Sequence, residues 1–149
     1  MPRTVLILNG PNLNLLGNRE PEIYGTATLE TIRLACEKTA AGLDMACDFR
    51  QTNAEGELVD WVQQAGAGAD GLVINAAAYS HTSVALHDAL KAASLPAVEV
   101  HLSNIFTREE FRHHSFVAAA VMGSICGLGV TGYELAIEAI SRTLQGETR

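Results

Sequence analysis

Glu99 and His101 are separated by one residue in Ala97-Val-Glu-Val-His-Leu102. If that run is a strand, both side chains project from one face. A carboxylate beside an imidazole fixes the ring's tautomer and favours its protonated form, an arrangement suited to a general acid. Two plainer readings compete. One is a solvated edge strand. The other is a pair of metal ligands, with His81 able to approach but no convincing third ligand, since adjacent His113 and His114 cannot easily be aimed at one ion.

Two further apolar runs end in polar residues, Asn9-Gly10-Pro11-Asn12 and Asn75. A lone Asn at such a place usually makes a turn. Three polar strand ends favour convergence on one site. The stretch Gly17-Asn-Arg-Glu-Pro-Glu-Ile-Tyr-Gly25 is long, bounded by glycines and suited to an active-site lid. It carries Arg19 and Tyr24. A phenol titrates near about 10, and a guanidinium beside it stabilises the phenolate enough to make a base. Composition alone slightly favours Tyr24 as an ordinary half-buried aromatic. Arg108 and Arg112 stand four apart in Thr107-Arg-Glu-Glu-Phe-Arg-His-His114, a segment read as a short helix. On one face they would hold a carboxylate; taken alone, surface pairing with Glu109 and Glu110 is the stronger reading.

The elements that must position these groups alternate. Strands are predicted at Arg3–Asn9, Met45–Phe49, Gly71–Asn75, Pro96–Leu102 and Met122–Leu128. Helices are predicted at Leu29–Leu43, Glu57–Ala67 and Ser80–Ala93, the last capped by Ser80 or Thr82, with a final helix marked by Tyr133, Ala136, Ile137, Ile140 and Leu144. Alternating strands and helices with apolar strands imply an α/β fold: one flavodoxin-like, doubly wound, five-stranded parallel sheet in a single domain over residues 1–149. Ligands of such sheets bind outside the carboxyl ends of the strands, where these polar residues fall.

Composition removes other classes. The net charge of −7, with no long basic cluster, argues against nucleic acid. No apolar run approaches a membrane span, and the short Val5–Leu8 run lacks the features of a signal peptide. Cys36, Cys47 and Cys126 form no CxxC and fit a reducing cytoplasm. The two lysines, Lys38 and Lys91, fall in helix bodies, away from any strand end, which argues against Schiff-base chemistry. No dinucleotide or Walker motif supports a nucleotide cofactor. Gly127-Leu-Gly-Val-Thr-Gly132 reads as helix-to-sheet packing before a phosphate site.

Three stretches together resemble the type II 3-dehydroquinate dehydratases: Leu8 to Gly25, Asn75-Ala-Ala-Ala-Tyr-Ser-His-Thr-Ser-Val-Ala-Leu-His-Asp88, and Glu99-Val-His-Leu-Ser-Asn-Ile105 with Arg108-Glu-Glu-Phe-Arg-His-His-Ser115. The resemblance implies cofactor-free loss of water from 3-dehydroquinate through an enolate, giving 3-dehydroshikimate. It implies Tyr24 as base, Arg19 as the group that acidifies it, Asn12 as holder of a water on the enolate oxygen, and His101 as acid oriented by Glu99. Asn75, His81, Leu102, Ser103 and Arg112 would bind substrate, with Arg108 as a further candidate and no metal. Asp88 would reach a neighbouring subunit's site in a dodecamer, a tetramer of trimers. Ala77 departs from an expected glycine and His87 from a frequent arginine. The same elimination serves aromatic biosynthesis or quinate breakdown. The rival classes are a non-catalytic flavodoxin-like binding module and a metal-dependent hydrolase.

Overall fold

The computed structural model describes residues 2–18, 20–24 and 26–146, with the side chains of Pro21 and Tyr24 outside that description. Five strands, β1 (Arg3–Asn9), β2 (Met45–Gln51), β3 (Gly71–Asn75), β4 (Ala97–His101) and β5 (Gly123–Cys126), form one parallel sheet in the order β2-β1-β3-β4-β5. That is the flavodoxin-like order, with its switch beside β1 and β3.

Period-two alternation divides the core. Val5 and Ile7 of β1 face α2 (Leu29–Gly42) and α5 (Val130–Leu144), packing with Ile32, Cys36, Ile137 and Ile140. Leu6 and Leu8 face α3 (Glu55–Gly68) and α4 (Val84–Ala93), against Leu58, Val62, Leu86 and Leu90. A short helix α1 (Pro21–Tyr24) interrupts the candidate lid.

Local chemistry sets the helix starts. Thr28 caps α2 by accepting from the Thr31 backbone N–H at 3.1 Å. The cap of α4 is Ser83, which accepts from Leu86 N–H at 2.9 Å, rather than Ser80 or Thr82. The predicted helix start is a 3-10 turn, Ala77–His81, that buries Ser80 completely. Gly132 does pack helix on sheet: a Cβ there would lie 3.3 Å from Ile125 and 3.5 Å from Val100.

The segment after β4 also differs from expectation. Arg108 and Arg112 do not share a helix. Two 3-10 turns, Ile105–Thr107 and Glu110–Arg112, are broken by extended backbone at Arg108. No apolar stripe anchors a helix here, and Phe106 and Phe111 stand exposed.

Candidate active site

The carboxyl ends of β1, β3 and β4 open onto one cavity of about 150 Å³. Gly10 lets β1 approach β3 closely, its N–H donating to the Asn75 carbonyl at 2.8 Å. A Cβ at Gly10 would stand 2.4 Å from the Ala76 carbonyl oxygen, so only glycine fits. Asn12 follows in the left-handed region, at φ 69°, with its N–H held by Asn53 Oδ1 at 3.0 Å. Gln51 Nε2 donates to the Gly10 carbonyl and to Asn53 Oδ1, both at 3.2 Å, so the end of β2 braces this loop.

Asn12, Asn75, His81, His101, Leu102, Ser103, Arg108 and Arg112 all line the cavity. The described lining contains both arginines and no carboxylate, so this cavity favours anions inside an acidic protein. Glu109 pairs with Arg112 at 3.2 Å and approaches Arg108 at 3.8 Å. The expected surface pairing is therefore present in part, yet both arginines keep most of their side chains buried. Asp88 is exposed on α4, away from its own chain's cavity. Arg19 and the side chain of Tyr24 lie outside the described residues.

β4 runs between β3 and β5, which removes the edge-strand reading of Glu99 and His101. His101 Nε2 donates to Glu99 Oε2 at 2.9 Å, and both residues are buried. Burial alone would raise the Glu99 pKa. The bond and charge of His101, with hydroxyl bonds from Ser115 and Ser124, outweigh it and hold the carboxyl below its ordinary range. With Nε2 committed, Nδ1 is the His101 nitrogen left for a ligand. His81 stacks on His101, ring centroids 6.1 Å apart. Its Nδ1 donates to the His114 carbonyl at 2.8 Å, which leaves Nε2 as an acceptor on the neutral ring. Burial lowers the His81 pKa; the His114 carbonyl opposes this, while the charges of His101 and Arg112 add to it. Among the described residues, no three His, Cys, Asp or Glu side chains are grouped to hold a metal ion.

Asn75 is anchored from behind. Its Nδ2 donates to the Tyr133 hydroxyl at 2.9 Å, and its Oδ1 accepts from Ala77 N–H at 3.1 Å. Tyr133 is fully buried and donates in turn to Asn9 Oδ1 at 2.7 Å. Burial pushes the Tyr133 phenol well above its ordinary value, so it remains protonated. Ala77, in the cavity wall, has φ 52°, a conformation that costs an L-residue about 1 kcal/mol or more. This is the backbone reason for glycine at the position.

Sequence reasoning missed Ser115, Ser124, Gln51 and Asn53, and counted Tyr133 only as an apolar helix position. Ser124 had one potential signal, its place opposite Glu99, and that required knowing which strand lies beside β4.

A sequence model of the dehydroquinase class II family matches residues 3–141. The chain belongs to that family. A 3-dehydroquinate dehydratase of Rhodopseudomonas palustris (strain TIE-1) is 56% identical over 145 residues, covering 97% of this chain and 96% of the relative. One from Brucella abortus (strain S19) is 54% identical over 149 residues, covering 100% and 95%. The type II dehydroquinase crystal structure from Propionibacterium acnes superposes with a TM-score of 0.91 at 46% identity, covering 95% of this chain and 97% of that one. This class II dehydroquinase thus shares sequence and fold with such enzymes along nearly its whole length.

Proposed function

We propose that the protein is a 3-dehydroquinate dehydratase, a hydro-lyase that forms 3-dehydroshikimate by anti elimination, and that the cavity at the β1–β3–β4 ends is its active site. One observation carries this: His101, tied to buried Glu99, stands in the wall of a small cavity whose described lining holds two arginines and no carboxylate.

The chemistry needs a base, a stabiliser for the enolate and an acid for the leaving hydroxyl. Tyr24 as phenolate, stabilised by Arg19, takes the proton alpha to the ketone, and the C–H electron pair enters the enolate. Asn12 holds a water on the enolate oxygen. As the ketone re-forms, the β-hydroxyl leaves with its C–O pair and receives a proton from His101 Nδ1, departing as water. One proton passed through solvent from tyrosine to histidine restores both groups. Arg112, with Arg108 beside it, shares the binding of the ring hydroxyls and the carboxylate. Asn75, His81, Ser103 and the Leu102 backbone hold the ring hydroxyls and the carboxylate together with Arg112. Every proton movement is assigned to a side chain, and no step requires a cofactor.

Residues 17–25 act as the lid. In support, Glu22 and Ile23 face Ser103, Thr107 and Arg108 across a recess at the cavity's edge. The active form is a homo-oligomer, a dodecamer built as a tetramer of trimers, in which Asp88 reaches a neighbour's cavity; its exposure away from its own cavity supports that assignment. The enzyme acts in cytoplasmic aromatic biosynthesis, the shikimate route. Three free cysteines support a reducing compartment, and among the described residues no helix is long and apolar enough to cross a membrane.

Addition of 3-dehydroquinate to purified protein should raise ultraviolet absorbance as the conjugated enone forms. An unchanged spectrum, with and without divalent metal, would remove the dehydratase assignment.

A further inference from the structure

Glu99 is only 1% exposed, yet it meets three donors. Oε2 accepts from His101 at 2.9 Å and from Ser115 Oγ at 2.5 Å, and Oε1 accepts from Ser124 Oγ at 2.7 Å. The two hydroxyls come from separate elements. Ser124 pairs with Glu99 across the β4–β5 ladder. Ser115 belongs to the connection that carries both arginines, and its Oγ also accepts from Ala118 N–H at 3.1 Å. That contact leaves the Ser115 hydroxyl hydrogen for Glu99.

A buried carboxyl and an imidazole sharing one proton have two arrangements. Desolvation favours the neutral pair, with the shared proton on Glu99, and the Nδ1–H facing the substrate then belongs to a neutral imidazole, a far weaker acid than an imidazolium. Donors aimed at the carboxylate favour the ion pair. We propose that Ser115 and Ser124 are positioning residues for the general acid: their hydroxyls keep Glu99 ionised, so that the shared proton resides on His101.

The other described groups around the pair do not perform this task. His81 stacks on His101 with its ring neutral, and Arg108 and Arg112 line the same cavity. Positive charge there opposes the imidazolium as well as favouring the carboxylate. Cys126, paired with His101 across β4–β5, has its thiol pushed up by burial and then by the Glu99 charge, so it remains neutral. Among the described residues, only the serines are hydrogen-bonded to the carboxylate without contacting the ring.

The proposal rests on His101 as proton donor, and the two can be tested separately. Three states matter. Removing a serine hydroxyl barely affects the neutral pair, weakens the ion pair, and weakens most the carboxylate facing a neutral ring, which lacks the imidazolium. The proton therefore spends less time on His101, and the pair holds its last proton to higher pH.

The experiment measures kcat and KM for 3-dehydroquinate against pH in Ser115→Ala, Ser124→Ala, their double variant, the corresponding threonine variants, and His101→Ala. The expected result is a loss of roughly three- to tenfold in kcat for each alanine and more for the double, with KM little changed. The alkaline limb of the kcat profile should move to higher pH, and threonine should restore both features. The serine proposal is overturned if His101→Ala is inactive while the double alanine variant keeps kcat within about twofold and an unmoved limb. A fall in kcat with an unmoved limb and no rescue by threonine overturns it too, because that is general damage. An active His101→Ala would overturn both the proposal and the proton-donor assignment beneath it.

Discussion

Glu99→Gln isolates charge from shape at the centre of the proposed acid. The glutamine fills the same volume but brings one carbonyl and one amide. The Ser124 hydroxyl can rotate to accept from an amide at the Oε1 position, which leaves the carbonyl for His101 and Ser115 at the Oε2 position. The geometry then survives and the charge does not. A hydrogen bond to a charged group contributes about 1.5–3 kcal/mol against about 0.5–1.5 for a neutral one, so about 1–2 kcal/mol of support for the imidazolium is lost. That corresponds to a fall of roughly 5- to 30-fold in kcat. Glu99 lies behind His101 and does not line the cavity, so KM should stay within about threefold. Initial rates of enone absorbance at saturating substrate give kcat directly. A variant within twofold of the parent rate, or one whose whole defect lies in KM, would refute the role given to the charge.

The same carboxyl makes stability depend on pH. It is held below its ordinary range in the folded protein, so its contribution is present at neutral pH and is lost as pH falls through that lowered range. The difference in urea midpoint between parent and Glu99→Gln should shrink on acidification, and widening would contradict the cause given. Tyr133→Phe leaves Asn9 Oδ1 and Asn75 Nδ2 without their buried partner; a loss of about 2–4 kcal/mol in denaturant unfolding is expected, with a raised KM, and a change under 0.5 kcal/mol would refute the network. Ala77→Gly removes left-handed strain but loosens the unfolded chain, so unfolding should show a gain of up to about 1 kcal/mol; a loss larger than that would contradict the strain argument. Gly10→Ala should cost about 3 kcal/mol or more and lower activity, because its methyl would meet backbone rather than a side chain that can turn; an unchanged melting temperature would contradict the close approach.

The fold was legible because burial writes a simple pattern into strands. Val5-Leu-Ile-Leu8 and Leu72-Val-Ile74 are apolar on both faces, which only a covered parallel sheet requires. The amphipathic spacing of α2, α3 and α5 was equally readable. The start of α4 was not, since Ser80, Thr82 and Ser83 all cap well and only the packing of the 3-10 turn selects Ser83. The Arg108–Arg112 segment was misread because its four-residue spacing mimics a helix that nothing anchors. Eight of the candidate site residues converge on the cavity and Glu99 stands behind them, because polar strand ends at the switch point are a sequence feature. The supporting serines and Tyr133 were hidden for a different reason. Their roles come from strand register and from contacts with residues 16 to 124 positions away in the chain; a small hydroxyl in a strand or a tyrosine in an apolar stripe carries no mark of such a partner.

The most direct test of the central claim is a crystal structure of Tyr24→Phe with 3-dehydroquinate bound. The expected result places the substrate ring in the cavity, with His101 Nδ1 within hydrogen-bonding distance of the leaving hydroxyl. The phenyl group at position 24 should lie on the opposite side, against the carbon that bears the abstracted proton. Substrate bound elsewhere, or residues 24 and 101 unable to reach one small ring together, would contradict it.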